Sequence, residues 1–311
     1  MKKHRIAVIG LGKIAQDQHL PVIAKNPDFE LAAVSSQRGL DIAGALAFRR
    51  HEELFASTPD LDAVAVCTPP QARYAIARAA LAAGLHVMLE KPPTATLSEL
   101  ADLQCFAEER GLVLMTTWHS QYNAGVDEAK RRLAGRKVVR LFVNWKEDVR
   151  KWHPGQAWIW KAGGFGIFDP GINALSIVTK IMPEPVFVTR AELLFPQNAD
   201  APIAASLTFS TGGRPDGFSA EFDWRPIEQD IWEITVQTED GGTIHLAAGG
   251  ARFAVNGEVL MAEAPQEYEA IYAHFGRLLA SGESHVDLGP FRLVADAFLI
   301  GRRVQVEPFE P

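Results

Sequence analysis

Two short stretches of this 311-residue chain carry residue types whose spacing suits chemistry. Gly10-Leu11-Gly12-Lys13-Ile14-Ala15 reads G-x-G-x-x-A, after an apolar run and before a segment with helical spacing of apolar positions. In that setting the first glycine permits a tight turn and the second lets the backbone approach a pyrophosphate. Ala15 keeps the helix close to the strand. The N–H groups of the helix start then face phosphates. The motif points to a dinucleotide, with Gly10, Gly12, Lys13 and Ile14 as contacts. Roughly 20 residues on, a carboxylate would bind a ribose 2′-hydroxyl. Ser35-Ser36-Gln37-Arg38 stands there instead. Ser36 and Gln37 can donate hydrogen bonds and Arg38 can pair with a phosphate. NADP is therefore expected, with NAD as a second cofactor. Glu90-Lys91-Pro92-Pro93 is the other stretch. Lys91 can pass a proton if its neighbours depress its pKa, and can polarise a substrate hydroxyl while charged. Taken alone, Glu90 and Lys91 also read as a surface ion pair.

An aromatic segment adds a binding chemistry. Three of the seven tryptophans, Trp152, Trp158 and Trp160, lie within nine residues, near Glu147, Asp148 and His153. Indole faces pack against the C–H faces of a sugar while carboxylate and imidazole groups bind its hydroxyls. A place in the core or at a subunit interface is the alternative. No H-E-x-x-H or comparable ligand spacing occurs, so no metal is expected. Two cysteines, Cys67 and Cys105, are too few for a disulfide framework or an iron–sulfur site. They fit a reducing cytoplasm.

The elements that must position these residues follow from periodicity. Apolar runs at 5–9, 30–35, 63–67, 86–89 and 113–117 alternate with helical segments at 14–25, 72–83 and 97–110. That predicts βαβ units and a doubly wound parallel sheet, a Rossmann domain over 1–120. The Gly turn, Lys91 and Trp118-His119 then sit at the C-terminal strand ends, where open α/β sheets bind ligands. Later strands, at 138–145, 186–194, 204–210, 217–223, 232–238 and 243–247, follow one another closely. Glu239-Asp240-Gly241-Gly242 signals a hairpin. These predict an α+β domain over 121–311 with a mostly antiparallel, open-faced sheet for substrate binding and oligomerisation. Helices close the chain near 267–279 and 293–304, the last a candidate to pack back on the first domain. The class is α/β overall. A net charge of −7, from 31 basic and 38 acidic residues, gives no basic excess for nucleic acid. No run nears the roughly 20 apolar residues of a membrane helix. The apolar run Ile6 to Leu11 is too short for a signal peptide. A cytoplasmic protein is expected.

The G-x-G-x-x-A turn, Thr68-Pro69 and Ala83-Gly84-Leu85-His86-Val87-Met88-Leu89-Glu90-Lys91-Pro92 together resemble the Gfo/Idh/MocA oxidoreductase family. The resemblance implies that Lys91 is catalytic, touching the nicotinamide side and the substrate. It also implies that the Lys91–Pro92 peptide is cis and that Thr68, Pro69 and Glu90 adjoin the cofactor. Gly163-Gly164-Phe165-Gly166-Ile167-Phe168-Asp169-Pro170-Gly171-Ile172-Asn173 is similar to the family's Gly-rich stretch, an aspartate, then a histidine four residues later. Asn173 replaces that histidine, so Asp169 becomes the candidate general base, with Lys91 supporting. A helix over 169–180 would put Asp169 and Asn173 on one face; a helix N-cap is the alternative for Asp169. A second departure is Gln71-Ala72-Arg73-Tyr74, where the family often has a histidine, and no role follows for Arg73.

Stretches along nearly the whole chain, among them Trp145–Asp148, Trp152–Gln156, Glu221–Trp224 and Tyr272–Phe275, resemble the branch that oxidises L-arabinose or D-galactose at C1. That branch implies sugar contacts at Glu147, Trp152, His153, Asp169, Asn173 and Trp232, joined by Lys91 and His119. Asp169 or Lys91 would take the anomeric proton in one cleft as hydride passes to NAD(P)+, giving an aldonolactone. Three other readings stay open: oxidation of inositol or another sugar hydroxyl, reduction of a pigment, and a regulator that binds cofactor without turnover. The open sheet face and the resemblance together predict a homodimer.

Overall fold

A computed structural model describes residues 3–212, 214–264 and 266–310. Contacts divide the chain into two compact units, Met1–His119 with Gln266–Asp287, and Ser120–Pro265 with Leu288–Pro311.

The first unit alternates strand and helix. It runs β1 (His4–Ile9), α1 (Leu20–Lys25), β2 (Phe29–Ser35), β3 (Leu46–Phe48), α2 (His51–Ser57), β4 (Ala63–Val66), α3 (Pro70–Ala82), β5 (His86–Glu90), α4 (Leu97–Glu109) and β6 (Leu114–Thr117). The six strands pair in parallel in the order β3-β2-β1-β4-β5-β6. That is the doubly wound Rossmann order, reversing between β1 and β4. All of β4 and the last four residues of β1 and β5 are buried. A sheet covered on both faces requires such unbroken apolar runs. Helix starts follow local chemistry. α3 opens on Pro70, whose missing N–H costs nothing there. α4 opens on a capping box between Thr96 and Glu99. The helix expected over 14–25 is not uniform: Ala15–His19 is a π turn, closed by the Leu20 N–H on the Ala15 carbonyl. Pro21 follows and cannot donate in the α pattern, which favours the wider turn. The π turn leaves His19 fully buried. The short edge strand β3 has no periodic signal in sequence.

The second unit continues with α5 (Ala124–Leu133), β7 (Val138–Lys146), α6 (Val149–Trp152), α7 (Phe168–Ile181), β8 (Val186–Pro196), β9 (Ala204–Thr211), β10 (Arg214–Asp223), β11 (Ile231–Thr238), β12 (Thr243–Ala247), β13 (Arg252–Val255) and β14 (Glu258–Ala262). After α8 (Glu267–Ser281), which belongs to the first unit, it ends with α9 (Gly289–Ile300) and β15 (Arg302–Val306). Its nine strands order as β14-β13-β12-β11-β7-β10-β9-β8-β15. Neighbours are antiparallel except β7 with β10 and β8 with β15. β7 alternates, with Leu141, Val143 and Trp145 buried and Phe142 exposed. Helices α5, α7 and α9 pack on strands of this sheet. The helix expected over 293–304 stops at Ile300, because Gly301 turns the chain into extended backbone. β15 then adds in parallel to β8. This last helix packs on α7 and β8 within the second unit, while α8 groups with the first unit. On α8, Tyr268, Ile271, Tyr272 and Phe275 are buried, and Phe275 stacks on Phe29 with centroids 5.8 Å apart.

Candidate active site

The Gly turn leaves β1 where the strand order reverses. The Gly10 N–H donates to the Ser35 carbonyl at 2.9 Å, and the Cys67 N–H to the Ile9 carbonyl at 2.8 Å, so the turn is tied to the ends of β2 and β4. Gly10 has φ +92°, and a Cβ there would lie 2.8 Å from the Thr68 amide nitrogen. Both the dihedral and the close approach demand glycine. At Gly12 a Cβ would meet no atom within 4 Å. The bare backbone there opens outward at a helix start whose first N–H groups lack helical acceptors. That open approach fits a dinucleotide pyrophosphate. Lys13 turns its side chain onto Asp17 one helical turn on. Beyond β2, Ser36 is buried and its N–H donates to the Phe48 carbonyl at 3.0 Å. Gln37 and Arg38 are exposed in the turn that follows.

At the end of β5 the Lys91–Pro92 peptide is cis. Glu90, 2% exposed, accepts from the Tyr268 hydroxyl at 2.6 Å and from His19 Nε2 at 3.1 Å through Oε1. Its Oε2 accepts from the Lys91 N–H at 2.8 Å. His19 Nδ1 shares a hydrogen bond with the Tyr272 hydroxyl at 2.8 Å. Burial raises the Glu90 carboxyl, but the hydrogen bond and charge of His19, with His119 and Arg73, outweigh it and hold the group at about 2. Burial and then Glu90 push the Tyr268 hydroxyl well above its ordinary range, so it stays a donor. Burial, with smaller contributions from its neighbours, pushes Tyr272 up to about 12. The carboxylate thus faces its own strand end, not solvent, and anchors the turn that presents Lys91.

Arg73 holds the same turn from α3. It is 4% exposed; its Nε donates to the Thr68 carbonyl at 2.6 Å and its Nη1 to the Glu90 and Pro92 carbonyls. One guanidinium thus fastens the end of β4 to both sides of Lys91. Past β6, His119 Nδ1 donates to Glu267 Oε2 at 2.9 Å. Burial lowers the His119 pKa and the Lys91 charge opposes its protonation, but Glu267 prevails and the imidazole is raised. Trp118 is spent on structure, donating to the Asp287 carbonyl at 2.9 Å.

In the second unit the aromatic residues converge at one sheet end. The parallel pairing of β7 with β10 brings their C-terminal ends together, and the antiparallel β11 begins there, with Trp232 opposite Trp145. Glu147, 5% exposed, accepts from Trp224 Nε1 at 3.2 Å through Oε1 and from Trp232 Nε1 at 2.8 Å through Oε2. Trp152 packs on Trp232 at 5.3 Å between centroids and donates to Asp230 at 3.2 Å. His153 packs on Trp224 at 5.0 Å and places Nε2 3.5 Å from Asp169 Oδ2. Asp169 is 4% exposed in the first turn of α7, and Asn173 follows one turn later on the same face. The structure therefore gathers Glu147, Trp152, His153, Asp169 and Trp232 into one aromatic, acid-bearing cluster in the second unit. It sets Gly10, Thr68, Glu90, Lys91 and His119 at the strand ends of the first. Sequence reasoning missed Arg73, Trp224, Glu267 and Tyr268. For Trp224, Glu267 and Tyr268 the partners lie 77, 148 and 178 residues away; Arg73 binds main-chain carbonyls only 5 to 19 residues off, which no side-chain motif announces.

Comparisons with known proteins match this layout. Residues 4–118 match the GFO_IDH_MocA model, described as an oxidoreductase family with an NAD-binding Rossmann fold. A galactose 1-dehydrogenase from Pseudomonas fluorescens is 45% identical over 309 residues, covering 99% of each chain. The crystal structure of a D-galactose-1-dehydrogenase from Rhizobium etli is 48% identical and superposes with a TM-score of 0.94, covering 100% of this chain and 99% of that one. A 3-ketoreductase from Actinomadura kijaniata, solved with NADP, shares the fold at 18% identity and a TM-score of 0.81, over 98% of this chain and 100% of its own.

Proposed function

Because the chain belongs to the Gfo/Idh/MocA oxidoreductase family with its NAD-binding Rossmann fold, we propose that it oxidises D-galactose at the anomeric carbon. The product is the aldonolactone. The observation that carries this reading is end-to-end likeness to two galactose 1-dehydrogenases at 45% and 48% identity. NADP and NAD are the cofactors, held by the Gly10–Ile14 turn, Thr68-Pro69 and the Ser36–Arg38 turn. When bound, the nicotinamide ring accepts the hydride from C1.

The residues do the rest. Asp169 accepts the proton of the anomeric hydroxyl as the C1–H bond breaks, so the hemiacetal loses a hydride and a proton together. His153, 3.5 Å away, sets the carboxylate's orientation. Lys91 is the supporting catalytic residue that the family resemblance implies. The Trp152 and Trp232 rings pack on the sugar's C–H face, while Glu147 fixes Trp232 and Trp224 through their indole N–H groups. Asn173 and His119 bind hydroxyls. General-base catalysis contributes roughly 10²–10⁴-fold, so Asp169→Asn should lower kcat by at least about that factor with circular dichroism unchanged. Lys91→Ala should also lose turnover.

A panel of aldoses and cyclitols with NAD+ and NADP+, followed by reduced-nicotinamide absorbance, tests the assignment. D-galactose should react. L-arabinose, which lacks only the C5 hydroxymethyl, should follow within the 10–200-fold that so small a difference supplies, roughly 1–3 kcal/mol. Oxidation of cyclitols alone, or cofactor binding with no oxidation of any aldose, would overturn it. We further propose a cytoplasmic homodimer. Its support is the face of the second sheet where Val139, Phe142 and Phe187 stay 36–46% exposed and, among the described residues, the lack of any helix long and apolar enough to cross a membrane. A monomer by light scattering at micromolar concentration would remove the dimer.

A further inference from the structure

The turn after β2 has a second cationic wall that the G-x-G-x-x-A fingerprint does not announce. Ser36 donates its N–H to the carbonyl of Phe48, the last residue of β3, and the Gly39 N–H donates back to the Ser36 carbonyl at 2.9 Å. This pairing carries the next residue, Arg49, alongside the turn. Gly39 has φ +67°, and a Cβ there would lie 3.3 Å from both Nε and Nη2 of Arg49. The guanidinium therefore lies against bare backbone, one residue from Arg38. Both arginines are exposed, and neither has a carboxylate partner among the described residues, although Arg50 beside them pairs with Glu52. Two guanidiniums beside one turn, without a carboxylate partner among the described residues, stand out in a chain whose net charge is −7. The turn continues the strand whose end faces the adenosine ribose in this fold.

We propose that Arg49, from the end of β3, determines cofactor specificity by clamping the 2′-phosphate of NADP together with Arg38. A guanidinium donates two parallel N–H bonds to phosphate oxygens, and two of them can hold a dianion from both sides. The inference rests on the dinucleotide reading above, but not on the sugar that is oxidised.

The test is calorimetric binding of adenosine 2′,5′-bisphosphate and of adenosine 5′-monophosphate to the full-length protein, wild type and Arg49→Gln. The variant should weaken the bisphosphate by about tenfold or more, the scale of one lost charge-assisted hydrogen bond. It should leave the monophosphate unchanged. In turnover, kcat/KM for NADP+ should fall by a similar factor and that for NAD+ should hold, with Arg49→Lys recovering part of the loss. Equal bisphosphate binding by wild type and variant would overturn the assignment, as would equal weakening of both nucleotides. Should no sugar be oxidised, the function above fails while the binding contrast still decides the role of Arg49.

Discussion

At the scale of single residues, His119 and Glu267 form a charge pair that moves with pH. His119 Nδ1 donates to Glu267 at 2.9 Å, and the folded imidazole is raised above its ordinary 6.5 although burial works against the charge. A raised base stabilises the fold fully below its unfolded pKa and loses that contribution as pH rises through the folded value. The stability gap between wild type and His119→Gln should therefore be widest below about pH 6.5 and should narrow as pH climbs. Urea denaturation from about pH 5.5 to 9 measures it, and Glu267→Gln should flatten the wild-type profile. A gap constant across that range would show that the pair is not ionic. Asp169 and Lys91 could be singled out from sequence because each sits inside a short, ordered motif. Glu267 could not, because its partner lies 148 residues away and a lone glutamate before a helix reads as an ordinary helix start.

At the scale of elements, the strand ends depend on clamps. Arg73 joins α3 to the ends of β4 and β5 through three main-chain carbonyls, at Thr68, Glu90 and Pro92. Buried carbonyls that lose a charged donor have no water to replace it. Arg73→Met should therefore cost about 2 kcal/mol or more in denaturant unfolding, since each hydrogen bond to a charged group is worth roughly 1.5–3 kcal/mol. Arg73→Lys, keeping the charge but not the fork, should recover part of that. Wild-type stability in both variants would mean the clamp carries no load. The parallel strands were legible because their burial on both faces demands unbroken apolar runs. The Glu239–Gly242 turn was legible too, and β11 and β12 do pair there as a hairpin. Asn256-Gly257, between β13 and β14 and with both residues at positive φ, is an equally direct turn signal. β3, the π turn and the parallel pairing of β7 with β10 were not readable. Each is fixed by neighbours distant in sequence rather than by local periodicity.

At the scale of the whole molecule, the first compact unit is not one stretch of chain. Residues 266–287 return to it from the far end of the sequence. They do two jobs that residues 1–119 leave undone. Along the open side of β6, the Thr116 N–H donates to the His285 carbonyl at 3.0 Å, the His285 N–H to the Leu114 carbonyl at 2.9 Å, and the Leu114 N–H to Ser284 Oγ at 3.0 Å. An edge strand left bare invites pairing with other chains. At the other side of the sheet, α8 buries Tyr272 and Phe275 against Phe29 and brings the Tyr268 hydroxyl to Glu90. Periodicity could find that helix but not its destination, since an amphipathic pattern names a buried face without naming what buries it. A fragment ending at residue 120 would expose the β6 edge, uncover Phe29 and strip Glu90 of a donor. Such a fragment should aggregate or exchange its sheet amides quickly. The same fragment joined to 266–287 through a flexible Gly/Ser linker should elute as a compact species, protect the amides of β5 and β6, and bind adenosine 5′-monophosphate. Equal protection in the two fragments would show that the returning segment is dispensable to the nucleotide-binding sheet.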